Sequence, residues 1–250
     1  MRLFTVVLAL TSSHAVAADA PDAQALIAES SKALFHQQPF RMRMHMDMQM
    51  QMQGAMNQTI ALDMKLAVAP GRFRMDATPM PMDSTLVSDG QFTWFYVGAM
   101  KKYTKKPAAG SPEALAESVM PGASSMTGML KDLTSARVAR EETLDVGGLK
   151  RDCYVVEFTV DKFSVSSPVP TTLRNVHQTM WIDKERKLTL KQIGDFEMQL
   201  GGPSAPPARA HQEIAVTALD LAPAFAADEF TFTPPEGAVE VDSLPGMPKS

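Results

Sequence analysis

The chain has 250 residues, 45% of them hydrophobic, and a formal net charge of −4. That length and apolar content supply one sizeable core, so a single domain is the default reading, and the lack of a basic excess argues against a nucleic-acid partner. Cys153 is the only cysteine, which excludes an internal disulfide framework.

The first seventeen residues, MRLFTVVLALTSSHAVA, carry one positive charge at Arg2, an apolar run Leu3–Leu10 and a small-residue ending Ala15-Val16-Ala17. This is the pattern of a secretory signal peptide with an A-x-A cleavage site, and the run is too short to span a bilayer. The mature chain, 18–250, is expected as one soluble, exported domain. In 22–36, DAQALIAESSKALFH, the spacing of Leu26, Ile27, Ser30, Ala33 and Leu34 predicts an amphipathic helix, stopped before Pro39.

The next segment, RMRMHMDMQMQM, puts methionine at every even position from Met42 to Met52 and a polar residue at every odd one. A period of two predicts a strand with one apolar and one wetted face. After Gly54-Ala55 a second alternating run places Ile60, Leu62, Met64, Leu66 and Val68 on one side, so the two runs read as an antiparallel hairpin. Pro70-Gly71 turns the chain into a third strand, Arg72–Ala77, with Phe73 and Met75 on one face. A proline-broken loop, TPMPMD, follows. Leu86–Ser88 and Phe92–Val97 flank an Asp89-Gly90 turn, a second hairpin signal. Lys101, Lys102, Lys105 and Lys106 around Tyr103 read as a solvated face.

Residues 110–135 suggest two short helices. Strands return at about 136–146, 149–160, 174–183, 188–199 and 211–219, with a charged turn at Lys184–Lys187, a loop at GGPSAPPA and a last strand at Phe230–Thr233, ended by Pro234-Pro235. Cys153 falls on a strand and reads as a small core residue in preference to a reactive thiol. The sum is an α+β fold: a curved antiparallel sheet of about nine to eleven strands, curled by its own twist toward a half-open barrel, with a few helices against one face.

No catalytic constellation is visible. His36, His45, His177 and His211 lack zinc-ligand spacing, and no G-x-S-x-G, P-loop or G-x-G-x-x-G occurs. The sequence therefore predicts neither an enzyme nor a cofactor. The methionine stripe has three readings. It can be ordinary core, each buried methionine contributing about 1.5–3 kcal/mol. It can be a deformable wall for apolar ligands, which unbranched polarisable side chains suit. It can be a soft-metal site, since thioethers bind Cu(I), although His45 points to the opposite face.

Four stretches resemble the periplasmic lipoprotein carriers, the LolA/LolB-like family: TLVSDGQFTWFYVGAMKKYTKKP (85–107), DEFTFTPPEGAVEVD (228–242), APGRFRMD (69–76) and MWIDKERKLTLKQI (180–193). The resemblance runs collinearly from the first helix to about residue 242. It implies a half-open barrel of about eleven strands with a helical lid over 112–133, whose apolar interior holds lipid or lipoprotein acyl chains without catalysis. It also implies a monomer that exchanges cargo with membrane-associated donor and acceptor proteins. Many carriers place a basic residue associated with cargo release just before the Pro-Gly turn, where Ala69 stands here. The expected cavity lining is Met42, Met44, Met46, Met48, Met50, Met52, Ile60, Leu62, Met64, Leu66, Phe73, Met75, Trp94 and Tyr96. The alternatives are a sensing or interaction module on the same fold, with a filled interior, and a methionine-based Cu(I) or Ag(I) binder.

Overall fold

The computed structural model describes residues 21–36, 39–52, 57–78, 83–108, 129–165, 171–201 and 205–244. The signal peptide, the methionines Met80 and Met82 of the proline loop and most of the expected lid, 112–128, lie outside the described residues.

One α-helix is described, α1 (Ala23–His36). Asp22 caps it, its Oδ1 accepting from the Gln24 N–H at 2.9 Å. Leu26, Ile27, Ser30 and Ala33 are buried, as the helical spacing predicts.

Twelve strands follow: β1 (Phe40–Gln51), β2 (Gln58–Ala69), β3 (Arg72–Thr78), β4 (Ser84–Ser88), β5 (Phe92–Val97), β6 (Lys102–Pro107), β7 (Leu133–Val146), β8 (Leu149–Val165), β9 (Thr171–Asp183), β10 (Thr189–Leu200), β11 (Ala208–Asp220) and β12 (Val239–Glu240). They form one open, curved sheet in the order β12-β6-β5-β4-β3-β2-β1-β11-β10-β9-β8-β7. The neighbours are antiparallel throughout, except that β12 runs parallel to β6. Two antiparallel halves, β1–β6 and β7–β11, therefore pair strand to strand along the β1–β11 seam, where Arg41 pairs with Asp220 and Gln51 with Arg209, and their side chains also share a core in which Phe40, Met42 and Phe73 cluster with Cys153, Val155 and Leu190.

Two-residue turns set the registers. Pro70-Gly71 joins β2 to β3 with Gly71 at φ 69°, and Gly147-Gly148 joins β7 to β8 with both glycines at positive φ, the hairpin conformation that twisted strands require. At the Asp89-Gly90 turn the Asp89 carboxylate accepts from the N–H groups of Gln91 and Phe92 at 2.7 and 2.8 Å. The charged turn between β9 and β10 is locked from beneath. Arg151 donates to both oxygens of buried Asp183 at 2.9 and 2.8 Å, and Asp183 Oδ2 also accepts from the Arg186 N–H at 2.6 Å. The Asp183 carboxylate raises the Arg151 pKa further.

Some expectations change and others hold. The lysine-rich stretch is strand β6, paired with β5 from Phe92↔Pro107 to Val97↔Lys102. Phe230–Thr233 is not a strand, and the closing strand is β12, two residues long. Cys153 is fully buried and its thiol is pushed up to about 12, chiefly by burial, which makes it a core residue.

The segment 221–244 returns across the sheet. Phe225 and Phe230 meet edge-on with centroids 5.0 Å apart, and Phe230 is buried with Ala67 and Ala69. Arg41 and Arg72 lie over these two rings, at 5.2 and 4.9 Å. Phe232 sits among Trp94, Tyr96 and Tyr103, at 6.2, 6.3 and 5.3 Å. The chain then hydrogen-bonds along β6, Val239 N–H to Lys101 O and Val241 N–H to Tyr103 O, each at 2.9 Å. This tail covers what would otherwise be a bare sheet edge.

Candidate functional site

Register alone defines the two faces. Across β1 to β5 one row reads Met42, Leu66, Met75, Leu86, Phe95, and the next reads Met44, Met64, Ala77, Ser84, Val97. In the other direction Met46 is opposite Ile214 and then Gln192 and Met180, while Met48 is opposite Gln212, Gly194 and Gln178. The even-numbered methionines of β1 thus define a methionine face that continues over both halves of the sheet. The helix α1 packs on this face, its Leu26 and Ile27 clustering with Val156, Phe158, Met180 and Phe196.

Met42, Met44, Met46, Met48, Met50, Ile60, Leu62, Met64, Leu66, Phe73 and Met75 share the methionine face, and Met52 continues their alternation just past the end of β1. Trp94 and Tyr96 do not join them. They pair with Val87 and Thr85 on the opposite face, and it is Phe95 that points to the methionine side. Their partner is Phe232, so the aromatic hairpin and the closing stretch hold each other, away from the expected cavity.

Exposure along the stripe is graded. Met42 is 2% exposed among Phe40, Leu66 and Phe73. Met44, Met46, Met48 and Met50 are half-buried, and Met52 reaches 45%. Leu200, at the same end of the sheet, is 48% exposed. Ile60, Met64 and Met75 are half-buried, while Leu62, Leu66 and Phe73 are buried. Met44 and Met75 pack against one apolar cluster, around Phe40 and Phe73. Met48 and Met50 pack against another, around Phe158 and Phe196.

By register, β1–β3 and β9–β11 put no charged side chain on the methionine face among the described residues. The charges go to the other side. There His45 lies 2.7 Å from Asp63 and 3.2 Å from Asp47, His211 lies 2.8 Å from Asp195, and Lys191 lies 2.7 Å from Glu213. The Asp63 hydrogen bond, with Asp47 adding to it, raises the His45 pKa above 6.5. Among the described residues no group of three or more His, Cys, Asp or Glu could hold a metal.

Over β9–β11 three amides, Gln178, Gln192 and Gln212, interrupt the apolar face, and sequence patterning did not single them out. Gln178 is 9% exposed, and its Oε1 accepts from Gln192 Nε2 at 2.9 Å. Gln212 Nε2 donates to Met46 Sδ at 3.2 Å. The available signal was one polar residue at inward parity on each of three neighbouring strands, in V-H-Q-T-M, L-K-Q-I-G and A-H-Q-E-I.

The fold is thus one open sheet whose methionine face is apolar and, over the described residues of β1–β3 and β9–β11, carries no charge, while its other face carries the ion pairs. The model of the DUF2092 family, described as a predicted periplasmic protein, matches residues 23–244, and the chain belongs to that family. No curated relative matches the sequence. Solved chains to which it is similar include an uncharacterized conserved protein from Thermus thermophilus (11% identity, 88% of this chain and 98% of that one, TM-score 0.40). A LolA superfamily protein from Nitrosomonas europaea is similar at 13% identity, over 85% and 99% of the two chains, TM-score 0.33. A putative outer membrane lipoprotein-sorting protein domain from Vibrio parahaemolyticus is similar at 15% identity, over 82% and 94%, TM-score 0.30.

Proposed function

We propose that the chain is a periplasmic binding protein that holds the acyl chains of a lipid or acylated protein against its methionine face, without catalysis. The observation that carries this reading is the graded stripe: Met44, Met46, Met48 and Met50 stand half-buried on a face where β1–β3 and β9–β11 place no charge. Acyl carbons leave water there at about 0.8 kcal/mol per CH₂. Unbranched thioethers re-pack around chains of differing shape, which branched residues do less well. Met42, Leu66 and Phe73, fixed in the core, form the floor of such a site, and Met52 and Leu200 its exposed rim.

The test is native mass spectrometry and solvent extraction of protein purified from its own periplasm, with displacement of a fluorescent fatty acid by added lipid. Co-purifying lipid and competitive displacement are the expected results. A lipid-free protein that never binds the fluorescent fatty acid overturns the reading and leaves a sensing module with a filled interior. Binding of Cu(I) is measured beside it in a reducing competition titration. Tight binding lost in the Met44→Leu, Met46→Leu pair would replace the lipid reading by a metal one.

A further inference from the structure

Gly194 on β10 has a glutamine on each side: Gln212 of β11 opposite one edge and Gln178 of β9 opposite the other. Gln192, two residues earlier on β10, shares their face and donates to Gln178. The missing side chain at Gly194 is what lets the Gln178 carboxamide lie across β10, since a Cβ there would overlap it. By register Gln178 lies beside Phe158 and Gln192 beside Met180, so the amides border the apolar cluster around Phe158 and Phe196.

A buried carboxamide is costly unless its hydrogen bonds are made, and each glutamine brings two donors and two acceptor lone pairs. The bonds between these side chains and their neighbours on the face use few of them. Gln178 and Gln192 share one bond, and Gln212 donates to a thioether, a weak acceptor that a carbonyl oxygen would replace at a gain. An apolar face intended only for hydrocarbon would gain more from leucine at these positions.

Resting on the acyl-binding reading, we propose that Gln178, Gln192 and Gln212 form a seat for the acyl carbonyls of the ligand, with the hydrocarbon running out along the methionines to either side. The seat makes the protein a reader of acyl linkage as well as of apolar bulk. It tells an ester-linked chain from an ether-linked one of equal length.

The test displaces a bound fluorescent fatty acid with dioleoylphosphatidylglycerol or its diether analogue, which differ only in the two carbonyls. Wild type should prefer the diester about tenfold, the worth of roughly one net hydrogen bond. Gln192→Leu with Gln212→Leu should bind both lipids with the preference reduced to about twofold or less. Gly194→Ala, which displaces only the Gln178 carboxamide and keeps the amide count, should lose part of the preference and guards against a folding defect in the double variant. A diacylated lipopeptide in parallel tells whether the carbonyls belong to a phospholipid or to an acylated protein. Equal binding of diester and diether by wild type, or a preference that survives in both variants, overturns the seat and leaves acyl binding standing. Failure of wild type to bind the fluorescent fatty acid or either lipid removes acyl binding itself and the seat with it.

Discussion

The two ends of β1 are written in one residue type and meet different surroundings. At the start, Met42 is sealed beside Phe40 and Phe73, where β2, β3 and β4 all lie alongside. Toward the end, Met48 and Met50 stand half-buried, past the last β2–β3 pair at Asp63↔Thr78. The alternation is therefore a statement about direction, and the neighbouring strands decide how much water each sulfur meets. Methionine serves both settings because it fills a tight core and still moves where the packing stops.

The sharpest way to break this contrast is to truncate both ends. Met42→Ala should cost about 2–5 kcal/mol in urea unfolding, because it opens a cavity in close-packed surroundings. Met48→Ala should cost less than about 1.5 kcal/mol while weakening displacement of a bound fluorescent fatty acid. Equal stability losses would show that both ends are core. Next in size is Phe232→Ala on the opposite face, which removes three ring contacts and should cost about 1–3 kcal/mol. Hydrogen exchange should then quicken along Val239 and Val241, whose N–H groups pair with β6, and not at the β1–β2 pairs.

Cys153 sharpens the sealed side of the comparison without a stability change. With the thiol pushed up to about 12 and no exposed surface, its reaction with a disulfide reagent should follow the global unfolding rate. Fast labelling of the native protein would show that this part of the core opens. The smallest effect belongs to the wet face of β1. Since the His45 pKa is raised in the folded state, its charged pairing with Asp63 and Asp47 is fully present below pH 6.5 and lost as the pH rises through the raised value. The stability gap between wild type and His45→Ala should shrink as the pH rises above about 6.5, and a gap independent of pH would exclude the pairing.

Much of β1–β5 was legible because period-two runs and two strong turns, Pro70-Gly71 and Asp89-Gly90, fix strand and register together. Four features were not. β6 was hidden because lysines fit an exposed edge as well as a loop. Phe230-Thr-Phe232 mimics a strand, but its rings are held by sheet side chains, and Pro234-Pro235 supply no backbone donors. The placing of Trp94 and Tyr96 depends on parity carried across four strand pairs from β1, which no local pattern contains. The amides flanking Gly194 showed only singly, as one inward polar residue per strand, because they become neighbours only when β9, β10 and β11 are laid side by side.

The β1–β11 seam has a consequence for how such a chain is made. Each half can zip from its own short connections, yet the halves cannot merge until a segment near residue 220 finds one near residue 41. That partner is synthesised long after its mate, so the slow, long-range step waits for everything between them. The order in which the sheet closes is thus written into its strand order.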